Sequence, residues 1–298
     1  MTEDPTAGTA PGVEPDEEGP PGRGATVARF FLLPLMVVGA ALLIFLVFNF
    51  MTFDRHTPAE YLQEVRGGGA NRRWQAAFEL SRSIGRIPPG PERDALAAET
   101  LRIFEGLSSK RPDDVPVRRY LVLVLGKLQD RSALPALRAA ASDPDAETRL
   151  YAVWALGMMG DRQALPTVLS SSESEDPGAR KMAAYVLGKL GDPAAIPRLK
   201  VLLEDRVSDV RWNAAIALAE LSDRTGVEVL RSMIDRSALA RQTALTSEQS
   251  EAAMVNASKA LALLHDRESL PLLERVARED PNLRVRDAAR QAADAISK

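Results

Sequence analysis

The chain closes on nearly the same phrase five times: VLGKLQD (Val124–Asp130), ALGMMGD (Ala155–Asp161), VLGKLGD (Val186–Asp192), ALAELSD (Ala217–Asp223) and ALALLHD (Ala260–Asp266). The first four closing aspartates, 130, 161, 192 and 223, are 31 residues apart, and the fifth follows after one period plus a 12-residue insertion. A fixed period of this length predicts a solenoid, in which each unit buries its face against the next. The expected fold is all-α, with about seven stacked helical hairpins. Written from each closing aspartate, the units are Arg131–Asp161, Arg162–Asp192, Pro193–Asp223, Arg224–Asp266 and Arg267–Lys298, preceded by the looser Thr57–Ile87 and Pro91–Asp130.

Position by position, the repeat explains itself. The first helix of four units carries a proline near its start (Pro135, Pro166, Pro197, Pro271), where the missing N–H has no intrahelical acceptor in any case, and the Arg224–Asp266 unit has Glu228 there instead. Counting back from the aspartate, positions −9, −6, −5 and −2 are apolar, as in Ala183, Val186, Leu187 and Leu190, and lie on one helical face. Small residues recur at −4 (Gly126, Gly157, Gly188, Ala219, Ala262), as a close approach between helices requires. Gly160 and Gly191 stand where a helix ends and φ turns positive.

An arginine column precedes the second helices: Arg73, Arg118, Arg149, Arg180, Arg211 and Arg286. Asp143, Asp205 and Asp280 lie six residues before column positions. Aspartates capping turns and arginines pairing along the stack make this a structural ladder. Beside the buried face runs a second stripe at −10, −7 and −3. It reads Tyr120, Leu123, Lys127, then Tyr151, Trp154, Met158, then Met182, Tyr185, Lys189, then Asn213, Ile216, Glu220. Aromatic and methionine side chains concentrate at interface hot spots. Tyr120, Tyr151, Trp154, Met158, Met182, Tyr185, Asn213 and Ile216 are therefore the candidate partner-binding residues, on the concave side that second helices usually line. Packing between repeats is the competing explanation. The insertion, Asp235–Gln249, is either an inert excursion or a contact loop.

The pattern ALPxLxxxLxDxxxxVRxxAAxALGxLGD resembles the HEAT-like repeat of the phycobilisome-lyase type. The match is good over Arg131–Asp223, fair over Pro91–Asp130 and Arg224–Lys298, and weak over Thr57–Ile87. The resemblance implies paired antiparallel helices in a curved stack and is poor for function, because such repeats serve unrelated roles. Similar repeats in deoxyhypusine hydroxylases hold two irons through His-Glu pairs. Here the two histidines occur as His56-Thr57 and His265-Asp266, so that chemistry is not expected. His265 reads as a helix-end residue beside the dipole. With no cysteine, thiolate metal sites and disulfides are excluded. No phosphate loop or serine–histidine pairing is present, and Gly67–Gly69 reads as a turn. No catalytic residue, metal, cofactor or small-molecule substrate is expected.

Ahead of the repeats, residues 1–29 are rich in Pro, Gly and acid and should form a disordered tail. Phe30–Phe53 carries no charge and predicts a single transmembrane helix in contact with the bilayer. Flanking Lys and Arg tie across it, and Arg72 and Arg73 just beyond favour a cytoplasmic C-terminal side; Arg29 abutting the helix and the absence of acid between Glu18 and Asp54 tip the expectation weakly towards a cytoplasmic N-terminus with the solenoid outside. Residues 54–298 are the solenoid. The net charge is −3, and the tail alone accounts for −4, so the repeats lack the basic excess that nucleic-acid binding needs. The expected function is a non-catalytic, membrane-anchored scaffold for protein partners, with components of a membrane complex as candidates. The alternative is a lyase-type repeat enzyme or enzyme accessory acting on a protein substrate.

Overall fold

The computed structural model describes residues 33–52, 56–241 and 245–298. They fall into two compact units divided between Arg55 and His56. The tail expected over 1–29 lies outside the described residues.

The first unit contains α1, Leu33–Thr52, whose side chains from Leu35 to Val47 are exposed. The expected single-span anchor is corrected here: among the described residues no helix is long and apolar enough to cross a membrane. A crossing needs about 20 apolar residues over ~30 Å. Within the described helix Leu33–Thr52, Asn49 interrupts the apolar run. The bilayer contact and the orientation built on that span go with it.

The second unit is entirely helical among the described residues. Seven hairpins follow one another: α2 (Pro58–Gly67) with α3 (Ala70–Ser83), α4 (Pro91–Gly106) with α5 (Val115–Leu128), α6 (Leu134–Ala140) with α7 (Ala146–Met159), α8 (Leu165–Ser171) with α9 (Pro177–Leu190), α10 (Ile196–Leu202) with α11 (Ser208–Glu220), α12 (Val227–Met233) with α14 (Ser247–Leu263), and α15 (Leu270–Glu279) with α16 (Leu283–Ser297). The short α13, Arg236–Ala240, belongs to the insertion. The second helices α3, α5, α7, α9, α11, α14 and α16 pack successively against one another and form the spine.

The repeat residues account for this geometry. Asp130, Asp161, Asp192 and Asp223 each cap a 3₁₀ turn that opens the next unit, accepting from the backbone N–H of Ser132, Gln163, Ala194 and Thr225 at 2.8–3.0 Å. Asp266 is buried and instead takes Ser269 Oγ at 2.5 Å and Arg231 Nη2 at 2.8 Å. Each repeat proline falls in the first turn of its helix. Ala183, Val186 and Leu187, with their counterparts Ala152, Ala155, Leu156 and Ala214, Ala217, Leu218, are buried in one continuous core.

The glycines at −4 mark the closest approaches. A Cβ on Gly126 would stand 2.6 Å from that of Ala155, one on Gly157 2.7 Å from Val186 Cγ2, and one on Gly188 2.8 Å from that of Ala217. At −1 the backbone is left-handed in all five repeats: Gly160 and Gly191 at φ 61° and 64°, and Gln129, Ser222 and His265 at 55°, 60° and 46°. Ending the second helix this way turns the chain into the capped 3₁₀ turn.

Candidate protein-binding stripe and arginine ladder

Each arginine of the ladder is placed at the start of a second helix, beside the loop that closes its own hairpin. Arg180 Nη1 donates to the carbonyls of Ser174 and Glu175 at 2.9 and 2.8 Å. Its Nε and Nη2 reach into the next unit and pair with Asp205 at 2.7 and 3.0 Å. Arg118 does the same, with Nη1 on the Leu107 carbonyl at 3.0 Å and Nη2 on Asp143 at 2.7 Å. Arg149 holds the carbonyls of Asp143 and Pro144 at 2.8 and 2.9 Å, and Arg211 that of Asp205 at 2.7 Å. The aspartates also fix the turn before the next helix. Asp143 accepts from the N–H of Asp145 at 3.0 Å and Asp205 from that of Val207 at 2.9 Å. The Arg180 hydrogen bond holds the Asp205 carboxyl below its ordinary range, and the same bond raises Arg180.

A parallel pair sits one residue further along. Arg119 binds Asp145 through two bonds of 2.7 Å, and Asp145 caps α7 through Thr148 N at 2.9 Å. With Arg119 as the main cause, the Asp145 carboxyl is lowered to about 2.

The stripe lies along the spine helices. Tyr120 is half-buried and meets Phe78 edge-on at 5.1 Å. Tyr151, Met182 and Ile216 are half-buried against the core. Trp154, Met158 and Asn213 are half-buried too, and Asn213 Nδ2 donates to the Asp209 carbonyl at 2.7 Å. Tyr185 stands out, 41% exposed, with Lys189 Nζ 5.4 Å above its ring. Lys189 in turn pairs with Glu220 at 2.5 Å. The stripe is thus a half-buried ridge between helices with Tyr185 projecting from it.

Two of the hollows elsewhere carry charged pairs. One of about 320 Å³, between α2 and α4, is largely apolar, with Arg66 and Glu99 paired at 3.1 Å on its rim. The other, about 420 Å³, lies beside α13, and its Arg236 and Asp280 are joined by bonds of 2.7 and 2.8 Å. Among the described residues no three His, Asp or Glu side chains are grouped to hold a metal.

The family model described as HEAT repeats matches residues 103–176 and 168–247. The fold is a HEAT-like solenoid. Among solved structures, the complex of CpcE and CpcF of phycocyanin lyase from Nostoc sp. PCC7120 is 21% identical, over 82% of this chain and 96% of that one, with a TM-score of 0.51. YibA from Escherichia coli is 15% identical over 80% of this chain and 82% of its own, with a TM-score of 0.52. At such identities the likeness is one of HEAT-like fold. No curated protein matches this sequence.

Sequence reasoning missed three things in this region. The closing aspartates cap the turn between units. The left-handed position at −1 is general, and at Gln129, Ser222 and His265 no glycine signals it. The insertion is partly structural: Leu239 is buried, and Arg236 supplies the pair to Asp280. An aspartate followed two residues later by its N–H partner was the available signal for the first.

Proposed function

We propose that residues 54–298 act as a non-catalytic scaffold that binds a protein partner along the spine helices, through Tyr120, Tyr151, Trp154, Met158, Met182, Tyr185, Asn213 and Ile216. The observation that carries this reading is Tyr185. On α9 an aromatic ring is presented to solvent beside half-buried Met182, and is overlaid by a lysine. A rigid aromatic held on a helix covers much partner area at small entropic cost. The Arg and Asp ladder serves the stack.

The catalytic alternative calls for a ligand-sized pocket with convergent polar groups. Each of these two hollows carries a mutually neutralising pair, Arg66 with Glu99 and Arg236 with Asp280. That arrangement favours the scaffold. The test is Trp154→Ala combined with Tyr185→Ala. Helicity should persist, with Tm lowered by no more than about 8 °C, while recovery of the co-purifying partner falls at least tenfold. Undiminished recovery, or an unfolded double variant, contradicts the proposal.

A further inference from the structure

Six joints connect the seven units, and side-chain pairs cross only some of them. The first is crossed by Arg73 to Asp114 at 3.0 Å, the second by Arg118 to Asp143 and Arg119 to Asp145. The fourth is crossed by Arg180 to Asp205 and Lys189 to Glu220, the sixth by Arg236 to Asp280 and Arg231 to Glu268. Among the described residues no side-chain hydrogen bond or ion pair crosses the third joint, between α7 and α9, or the fifth, between α11 and α14, apart from the caps at the covalent junctions.

The register explains both gaps. Ladder arginines at 118 and 180 find their aspartates 25 residues on. From Arg149 that step lands on Ser174. The serine does fix its turn, its Oγ accepting from Asp176 N–H at 3.2 Å as Asp143 and Asp205 do for theirs. It has no second oxygen to offer. Arg149 keeps its own loop through Nη1, while the Nε–Nη2 edge that Arg180 gives to Asp205 has no partner among the described residues. From Arg211 the same step lands on Arg236, a cation turned towards Asp280. What remains at the third joint is apolar packing, centred on Gly157 against Val186.

In a solenoid, stability is the sum of unit terms and nearest-neighbour interface terms, so the least-supported interfaces open first. Bidentate charge-assisted pairs also fix orientation, which apolar contact does not. We infer that the third and fifth joints are the flexure points of the stack, dividing it into blocks of three, two and two clamped units, and that the third sets the spacing between the Trp154 and Tyr185 halves of the stripe. Resting on the partner-surface reading, the consequence is that a partner bridging both halves fixes this joint.

The missing rung can be installed. In the intact chain, hydrogen exchange is followed by mass spectrometry for Ser174→Asp, for Ser174→Asn, which keeps the turn bond without the charge, and for Ser174→Asp with Arg149→Gln. The expected result is exchange at least fivefold slower across residues 150–160 and 177–190 in Ser174→Asp alone. Exchange equal to that of Ser174→Asn overturns the inference. Asp205→Asn probes the converse: removing a rung should speed exchange in α9 and α11 at least fivefold, and no change there also overturns it. Exchange reports the joint whether or not a partner binds. If Trp154→Ala with Tyr185→Ala leaves partner recovery intact, the stripe reading alone fails.

Discussion

Arg180 and Asp205 meet across the joint between α9 and α11 through two bonds, Nε to Oδ2 at 2.7 Å and Nη2 to Oδ1 at 3.0 Å, with each side chain only 9% exposed. Arg180 also ties down the loop of its own hairpin, and Asp205 the turn into the next helix. One pair therefore connects two loops and two units. Arg180→Gln leaves the Asp205 carboxylate short of its donors and should cost about 3 kcal/mol. Arg180→Lys should recover little, because an ammonium cannot make the paired contact. Denaturant melts of both variants check this.

Close packing at −4 sets a second expectation. Gly126→Ala would put a methyl group 2.6 Å from Ala155 Cβ and 2.7 Å from its Cα, which is backbone and cannot swing aside. A loss of about 1–3 kcal/mol follows from overpacking. Gly160 meets nothing within 4 Å, so Gly160→Ala should cost only the left-handed backbone penalty of about 1 kcal/mol. Thermal unfolding should rank Gly126→Ala as the more damaging.

The same backbone argument runs in reverse where the left-handed residue is not glycine. Ser222 at φ 60° should gain from Ser222→Gly, by about 0.5–1 kcal/mol. Gln129→Gly should gain less, because Gln129 Nε2 donates to the Met158 carbonyl at 2.7 Å and that bond would go. Paired melting curves decide it.

Acid dependence follows from Asp145, lowered to about 2 chiefly by Arg119. A carboxylate depressed in the folded state contributes its stability above the unfolded value, near ~3.9, and loses it as pH falls through the folded one. Wild type should therefore exceed Asp145→Asn by roughly 2 kcal/mol above about pH 5, and the gap should close as pH approaches 2. Stability measured for both proteins over that range checks the sign.

The stack itself was legible because its determinants are local and periodic. The 31-residue step, the prolines of the first helices and the small residues at −4 each act within one unit or on its neighbour. The continuous row of spine helices follows from them. What was hidden depends on the third dimension or on chemistry that sequence disguises. The Arg118–Asp143 and Arg180–Asp205 pairs join residues whose proximity only stacking creates. Left-handed Gln129 and Ser222 carry no glycine to announce them. In Phe30–Phe53, uncharged composition suggested a crossing, whereas among the described residues no helix is long and apolar enough for one. In the stripe, spacing alone did not tell half-buried Trp154 from exposed Tyr185, because both occupy position −7.

Site-specific photo-cross-linking tests the proposed binding surface most directly. A benzophenone amino acid is placed at Tyr185 on the spine and, separately, at Val201 on first helix α10, which is 59% exposed. Covalent capture of a partner protein from position 185 and none from 201 is the outcome expected of a spine-side scaffold. Capture from 201 with none from 185 would contradict it.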